Sequence, residues 1–349
     1  MRLSKHFIPT HYALNYTRLD LETNTFEGIV DINIQGNEAS NNNDSVSHRY
    51  DSIILHAFEL HILDGFLLMR KQTTCNHDDG CDDNKKVELS KICYQKKDQT
   101  CELFFSGAKN LGSWREFVLH LKFCGELNRN MQGLYRSSYT GLDGKVKAMA
   151  CTQFEATDAR RAFPCFDEPN FKATFQLAVT LKQKEQNPLD VVSNTPVETT
   201  KTARINDETF KEWRFSKTPK MSTYLLAVVV GEFDAVSRTS ATTRVKTSVY
   251  TVPGKAAQGT FCLDVASKCL DLYEGLFAVP YPLPKSDLLA IPDFAAGAME
   301  NWGCVTYREA KILVKEGSTS QSTLQGIART VCHELAHQWF GNLVTMDWW

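Results

Sequence analysis

Three residues have the types and spacing for metal chemistry: His333, Glu334 and His337, within CHELAHQWFGN (332–342). Residues four apart on a helix share a face, so both imidazoles can present a nitrogen to one zinc ion. Glu334 lies one residue round, close enough to hold water beside the ion without ligating it. Zinc lowers the pKa of such water to about 7, and a carboxylate can then take its proton as it attacks a carbonyl. A catalytic zinc of this kind takes three protein ligands, and this stretch supplies two.

The elements that must position these residues can be read outward from them. Leu324, Ile327, Ala328, Val331 and Leu335 form one apolar helical stripe. Ser320 or Ser322 can cap that helix, and Gly341–Asn342 can end it. Upstream, KSDLLAIPDFAAGAMENWGCVTYRE reads as a strand, a turn and another strand. FCLDVASKCLDLYEGLF places Phe261, Val265, Cys269 and Leu272 at helical spacing, and stops before the prolines of VPYPLP. TTRVKTSVYTVPG adds one more strand and a turn.

Residues 1 to about 236 read mostly as β structure. Period-two alternation runs through Phe26, Val30, Ile32 and Ile34, through Phe117, Leu119, Leu121 and Phe123, and through Phe175, Leu177, Val179 and Leu181. YLLAVVV (224–230) reads as a buried strand. Two polar stretches, 37–48 and 73–86, lack the apolar residues of a core and are expected as surface loops. The second holds Cys75, His77 and Cys81 among four aspartates. It reads as a solvated acidic loop in preference to a metal site.

Bulk properties narrow the function classes. At 349 residues the chain has room for two domains, and 42% hydrophobic with 23% charged residues is the balance of a soluble globular protein. A net charge of -2 gives no reason to expect nucleic acid or an anionic membrane as partner. No apolar run approaches the ~18–20 residues that span a bilayer. The N-terminus lacks an apolar signal region, and the 11 cysteines show no framework spacing. Reduced thiols and a cytoplasmic location are therefore expected.

Two further blocks, GAMEN (297–301) and TQFEATDARRAFPCFDEP (152–169), precede the histidine pair. In this order and at about these separations, the three blocks resemble the zinc aminopeptidases of the aminopeptidase N and puromycin-sensitive aminopeptidase family. MQGLYRS (131–137) and YLLAVVVGEF (224–233) also fit, so the resemblance covers nearly the whole chain apart from the polar loops. It implies an antiparallel β saddle or sandwich domain over 1–236. The first part of a thermolysin-like zinc peptidase domain of α+β type would follow over 237–349. It implies peptide substrates with a free N-terminus, one zinc ion on His333 and His337, and Glu334 as general base. Glu155 and Glu300 would bind the substrate ammonium and thereby limit cleavage to the first peptide bond. Gly297 and Ala298 would pair with the substrate main chain, and Gln153 and Met299 would line the first-residue pocket. The family's leukotriene epoxide hydrolase branch resembles G-G-M-E-N instead and lacks the acid that is Glu155 here. A plain aminopeptidase is thus the expected subclass.

The chain also departs from the family pattern. There the third zinc ligand is a glutamate separated from the second histidine by eighteen residues, whereas twelve residues follow His337. The tyrosine that stabilises the oxyanion lies further on again. The expectation is a chain ending inside its catalytic domain, with an exposed apolar stripe on the last helix. The alternative to an active peptidase is a non-catalytic fragment that at most binds peptide N-termini.

Overall fold

The computed structural model describes residues 2–36, 51–70, 84–107, 111, 115–184 and 188–349. The acidic stretch bearing Cys75, His77 and Cys81 lies outside the described residues. The alternation in the sequence becomes burial in the fold. Phe26, Val30, Ile32 and Ile34 on strand Thr25–Gly36 are all buried, as are Phe117, Leu119, Leu121 and Phe123 on Glu116–Glu126. These two strands pair at the centre of a ten-stranded sheet.

That sheet is antiparallel with one exception. Strands Phe7–Asp20 and Thr174–Gln183 run parallel. A parallel neighbour needs a long crossover, and the chain makes it by leaving to build strands Gly133–Thr140 and Val146–Gln153 of a second, four-stranded sheet. The result is a β sandwich. YLLAVVV is only half strand: Thr223–Leu225 forms a 3-10 turn, and Val228–Gly231 is the strand of the four-stranded sheet.

The segment between the two sheets carries Glu155. It is anchored on both sides by aromatic burial. Tyr12 stacks on Phe175 with centroids 4.8 Å apart, Phe163 meets Tyr12 edge-on at 6.0 Å, and Phe154 lies 6.2 Å from Phe163. A polar network completes the anchor. Arg160 donates Nε to Asp167 at 2.9 Å, and Thr223 donates its hydroxyl to the same carboxylate at 2.7 Å. His56 Nδ1 accepts the backbone N–H of Asp167 at 3.2 Å.

Beyond Asp234 a five-stranded sheet forms in the order Asp234–Thr239, Lys246–Thr251, Lys285–Ile291, Cys304–Arg308, Ala298–Met299. Two helices pack with it, α1 (Thr260–Phe277) and α2 (Gln321–Ala336). Helix α1 buries Cys262, Leu263, Ala266, Ser267, Cys269 and Leu270; of the expected stripe, Cys269 is buried and Phe261 and Val265 are partly buried against the core. Leu272 is exposed.

Helix α2 does follow its expected stripe, and buries it: Ile327, Val331 and Leu335 belong to the core. The exposed apolar residues expected there lie elsewhere, on the outer face of α1 (Leu272, Leu276) and after α2 (Phe340, Val344). The sandwich and the five-stranded sheet meet at a buried junction. Lys285 Nζ donates to Ser193 O at 2.7 Å, Asp287 Oδ2 at 2.6 Å and Gly303 O at 2.9 Å. Gly303 has φ +76, and a Cβ there would fall 2.3 Å from Asn194 O, so only glycine fits.

The His56 contact makes a pH prediction. Burial, reinforced by the Arg160 charge, pushes the His56 imidazole down to about 3. The neutral ring is required as an acceptor, so its contribution is full above the unfolded value of about 6.5 and is lost as pH falls towards the folded one. The buried Asp167 carboxyl, pushed up mainly by burial, works in the opposite sense. His56→Asn keeps an acceptor and removes the titration. It should flatten the fall in urea midpoint between about pH 6.5 and 3 relative to the parent chain. An unchanged slope would count against this role.

Candidate metal centre

Helix α2 begins at a Ser320 cap, whose hydroxyl accepts the Thr323 N–H at 3.2 Å. It ends earlier than expected. The last helical residue is Ala336 and His337 is the C-cap, but with φ -59 and ψ -24 His337 keeps helical geometry. The one-turn relation between the histidines therefore survives. Their Nε2 atoms face each other at 3.1 Å. Two nitrogens bound at about 2.0–2.1 Å to one tetrahedral ion sit roughly 3.3 Å apart, so the pair fits zinc with little movement.

The neighbours of His337 strengthen that fit. Its Nδ1 lies 2.9 Å from Phe340 O, which fixes the proton there and leaves the Nε2 lone pair free. Gly341 makes room for this arrangement. It has φ +130, and a Cβ built on it would lie 3.0 Å from His337 Nδ1. Among the described residues no group of three or more His, Cys, Asp or Glu side chains converges as a metal site. The two imidazoles stand as a pair.

Carboxylates surround the pair. Glu334 is buried, and its Oε2 has no hydrogen-bond partner among the described residues. Burial first, then the charges of Glu300 and Glu155, push its carboxyl up to about 8. Glu155 is pushed up in the same way by burial and by Glu300, with His337 opposing. Glu300 is buried, with Oε1 3.8 Å from His337 Nδ1. Three acids from three segments therefore share one space beside two imidazoles. A cation placed there relieves their mutual repulsion.

The remaining expected residues stand on two sheets: Gly297 to Met299 at the edge of the five-stranded sheet and Gln153 at the end of a strand of the four-stranded one. Ala298 and Met299 form the outermost strand of the five-stranded sheet, paired on one side only through Ala298 to Tyr307 and Met299 to Thr306. An edge strand can take up an extended peptide. A Cβ on Gly297 would meet only the Lys311 side chain, at 3.9 Å, so nothing within the chain demands glycine there. Gln153 ends the neighbouring strand Val146–Gln153 with its Oε1 buried and unpartnered among the described residues. Met299 is buried.

Sequence reasoning passed over the residues that hold these parts together. Asp293 fixes the loop before GAMEN, accepting Ser138 N–H at 2.9 Å, while its backbone carbonyl accepts the Tyr135 hydroxyl at 2.8 Å. Arg308 Nε donates to Phe294 O at 2.9 Å from the other side. Gln338, four residues after Glu334 and just past the end of α2, was detectable by its spacing; Asn342 reads in the sequence only as a helix stop.

Comparison with known proteins is consistent with this geometry. The chain matches the Peptidase M1 N-terminal domain over residues 8–225 and the Peptidase family M1 domain over residues 261–349. It is 40% identical to the endoplasmic reticulum aminopeptidase 1 of Homo sapiens, covering 100% of this chain and 34% of that protein. It is 42% identical to the aminopeptidase M1 of Arabidopsis thaliana, covering 100% of this chain and 36% of that one. It is 49% identical to the puromycin-sensitive aminopeptidase of Caenorhabditis elegans over 66% of this chain and 24% of that protein. The chain thus spans about a third or less of the length of these relatives.

Substituting Gly341 tests the histidine geometry. Gly341→Ala imposes both an unfavourable φ and a contact with His337, and should cost about 1–3 kcal/mol of stability. Zinc affinity, measured by competition with a chromogenic chelator, should fall as well. Unchanged zinc affinity would show that His337 does not depend on Gly341.

Proposed function

The chain belongs to peptidase family M1, and from that premise we propose that it serves zinc-dependent removal of N-terminal residues from peptides. One observation carries the proposal: two imidazole nitrogens 3.1 Å apart, beside a buried glutamate with a free oxygen and two further acids. His333 and His337 would hold one zinc ion. When bound, zinc supplies Lewis acidity to water and to the scissile carbonyl. Glu334 accepts the proton that the attacking water loses, and its lack of a partner in the chain leaves Oε2 available for it.

Glu155 and Glu300 bind the substrate's ammonium group. Because they come from the sandwich and from the five-stranded half, they close the site behind the first residue and make it specific for chain ends. Gly297 and Ala298 pair with the substrate backbone, and Gln153 and Met299 contact the first side chain. The enzyme acts on free peptides in a reducing, cytoplasmic setting. Support comes from the described cysteines, all of which are free. Among the described residues no helix is long and apolar enough to cross a membrane.

A second reading, binding of peptide N-termini without turnover, draws on the absence of a third converging donor among the described residues. Release of naphthylamine from an alanyl-naphthylamide by the zinc-loaded protein separates the two. Turnover supports the peptidase. Stoichiometric zinc with no turnover, alongside binding of a free-amine peptide, supports the second reading. In an active protein, Glu334→Gln should lower turnover by about 10²–10⁴-fold and leave zinc bound. Loss of the metal in this variant would remove Glu334 from the role of base.

A further inference from the structure

The turn that follows α2 reaches three parts of the molecule at once. Asn342 is fully buried, and its backbone N–H donates to His337 O at 3.0 Å. Its side-chain Nδ2 donates to the backbone carbonyl of Glu300 at 2.9 Å. Gln338 Nε2 approaches the same carbonyl at 3.3 Å and donates to Glu334 O at 3.0 Å. On the outer side, Lys172 Nζ from the sandwich donates to Asn342 O at 3.1 Å and to Leu343 O at 3.0 Å. Tyr224 donates its hydroxyl to Gly341 O at 3.1 Å.

Glu300 itself has little else to fix it. Its carboxylate makes no hydrogen bond among the described residues, and Oε1 lies 3.8 Å from His337 Nδ1. The direction of the carboxylate therefore depends on where its backbone is held. The donors that hold it come from the end of the histidine-bearing helix.

We infer that Asn342 is a positioning residue for substrate recognition. Its amide locks the backbone of Glu300 to the turn after His337, and so fixes the distance between the ammonium-binding carboxylate and the histidine pair. This rests on the reading of Glu300 as the amine ligand. It goes further in assigning the spacing of the two subsites to one side-chain amide. A displacement of about 1 Å at a charged contact is enough to weaken recognition substantially.

The test uses the 349-residue chain loaded with zinc, with trialanine amide and its N-acetylated counterpart as probes in isothermal titration calorimetry. The parent chain should bind the free-amine peptide more tightly than the acetylated one. Asn342→Leu keeps the shape of the side chain and removes its donors. It should weaken the free-amine peptide about ten-fold and leave the acetylated peptide and the zinc stoichiometry unchanged. Asn342→Ser, which retains a short donor, should recover part of the loss. Equal affinity of parent and Asn342→Leu for the free amine would overturn the inference, as would equal weakening of both peptides. If Asn342→Leu fails to fold, Gln338→Met removes the second donor to the same carbonyl. It should give a several-fold loss confined to the free-amine peptide, and no loss would overturn the inference equally. A parent chain that treats both peptides alike overturns the amine reading of Glu300, and the role of Asn342 falls with it.

Discussion

Glu155, Glu300 and Glu334 act on one another electrostatically, the last two buried and the first exposed, and much of the surrounding architecture holds them in place. Burial first, then the charges of Glu300 and Glu155, push the Glu334 carboxyl up to about 8, and burial and Glu300 push Glu155 up as well. Such a cluster is unfavourable unless cations enter it. The two imidazoles mark the place for one, and the partly exposed Glu155 marks an open side where another can arrive. Under the proposed function, a metal and an ammonium group entering beside these acids would relieve that repulsion.

Holding three mutually repelling groups together requires a rigid frame, and each acid has its own. Glu155 sits between Phe154 and Phe163, whose rings are packed against Tyr12 and Phe175 in the core of the sandwich. Glu334 is fixed by burial of Ile327, Val331 and Leu335 along α2. Glu300 follows an edge strand and is tied by backbone to the end of α2. The frames join through buried polar contacts at Lys285 and Asn194, where packing leaves space for glycine alone at position 303.

Local periodicity made much of this legible. The strands bury the alternating residues the sequence marks, because a β-strand sends successive side chains to opposite faces. The histidine pair stands one helical turn apart, as its spacing implies, and Glu300 lies 3.8 Å from His337. On helix α1 the expected stripe holds at Cys269, Phe261 and Val265 and fails at Leu272, because the buried face is also built of Cys262, Ala266 and Ser267, which hydrophobicity ranks below leucine. The parallel pairing of Phe7–Asp20 with Thr174–Gln183 was invisible for a different reason. It joins residues more than 150 positions apart, and no local pattern encodes it. The contacts of Asn342, Lys172 and Tyr224 share that origin. Each joins distant segments through one or two hydrogen bonds to backbone carbonyls, which carry no sequence signature.

The central claim is that α2 and the acids around it form a zinc centre with Glu334 beside the ion and not bonded to it. Anomalous diffraction at the zinc edge from crystals of the zinc-loaded chain tests this most directly. The expected result is one ion bonded to His333 Nε2 and His337 Nε2 at about 2.0–2.1 Å, with the Glu334 carboxylate outside bonding distance. An ion seated elsewhere in the molecule, or bonded to Glu334 in place of either histidine, would contradict the account.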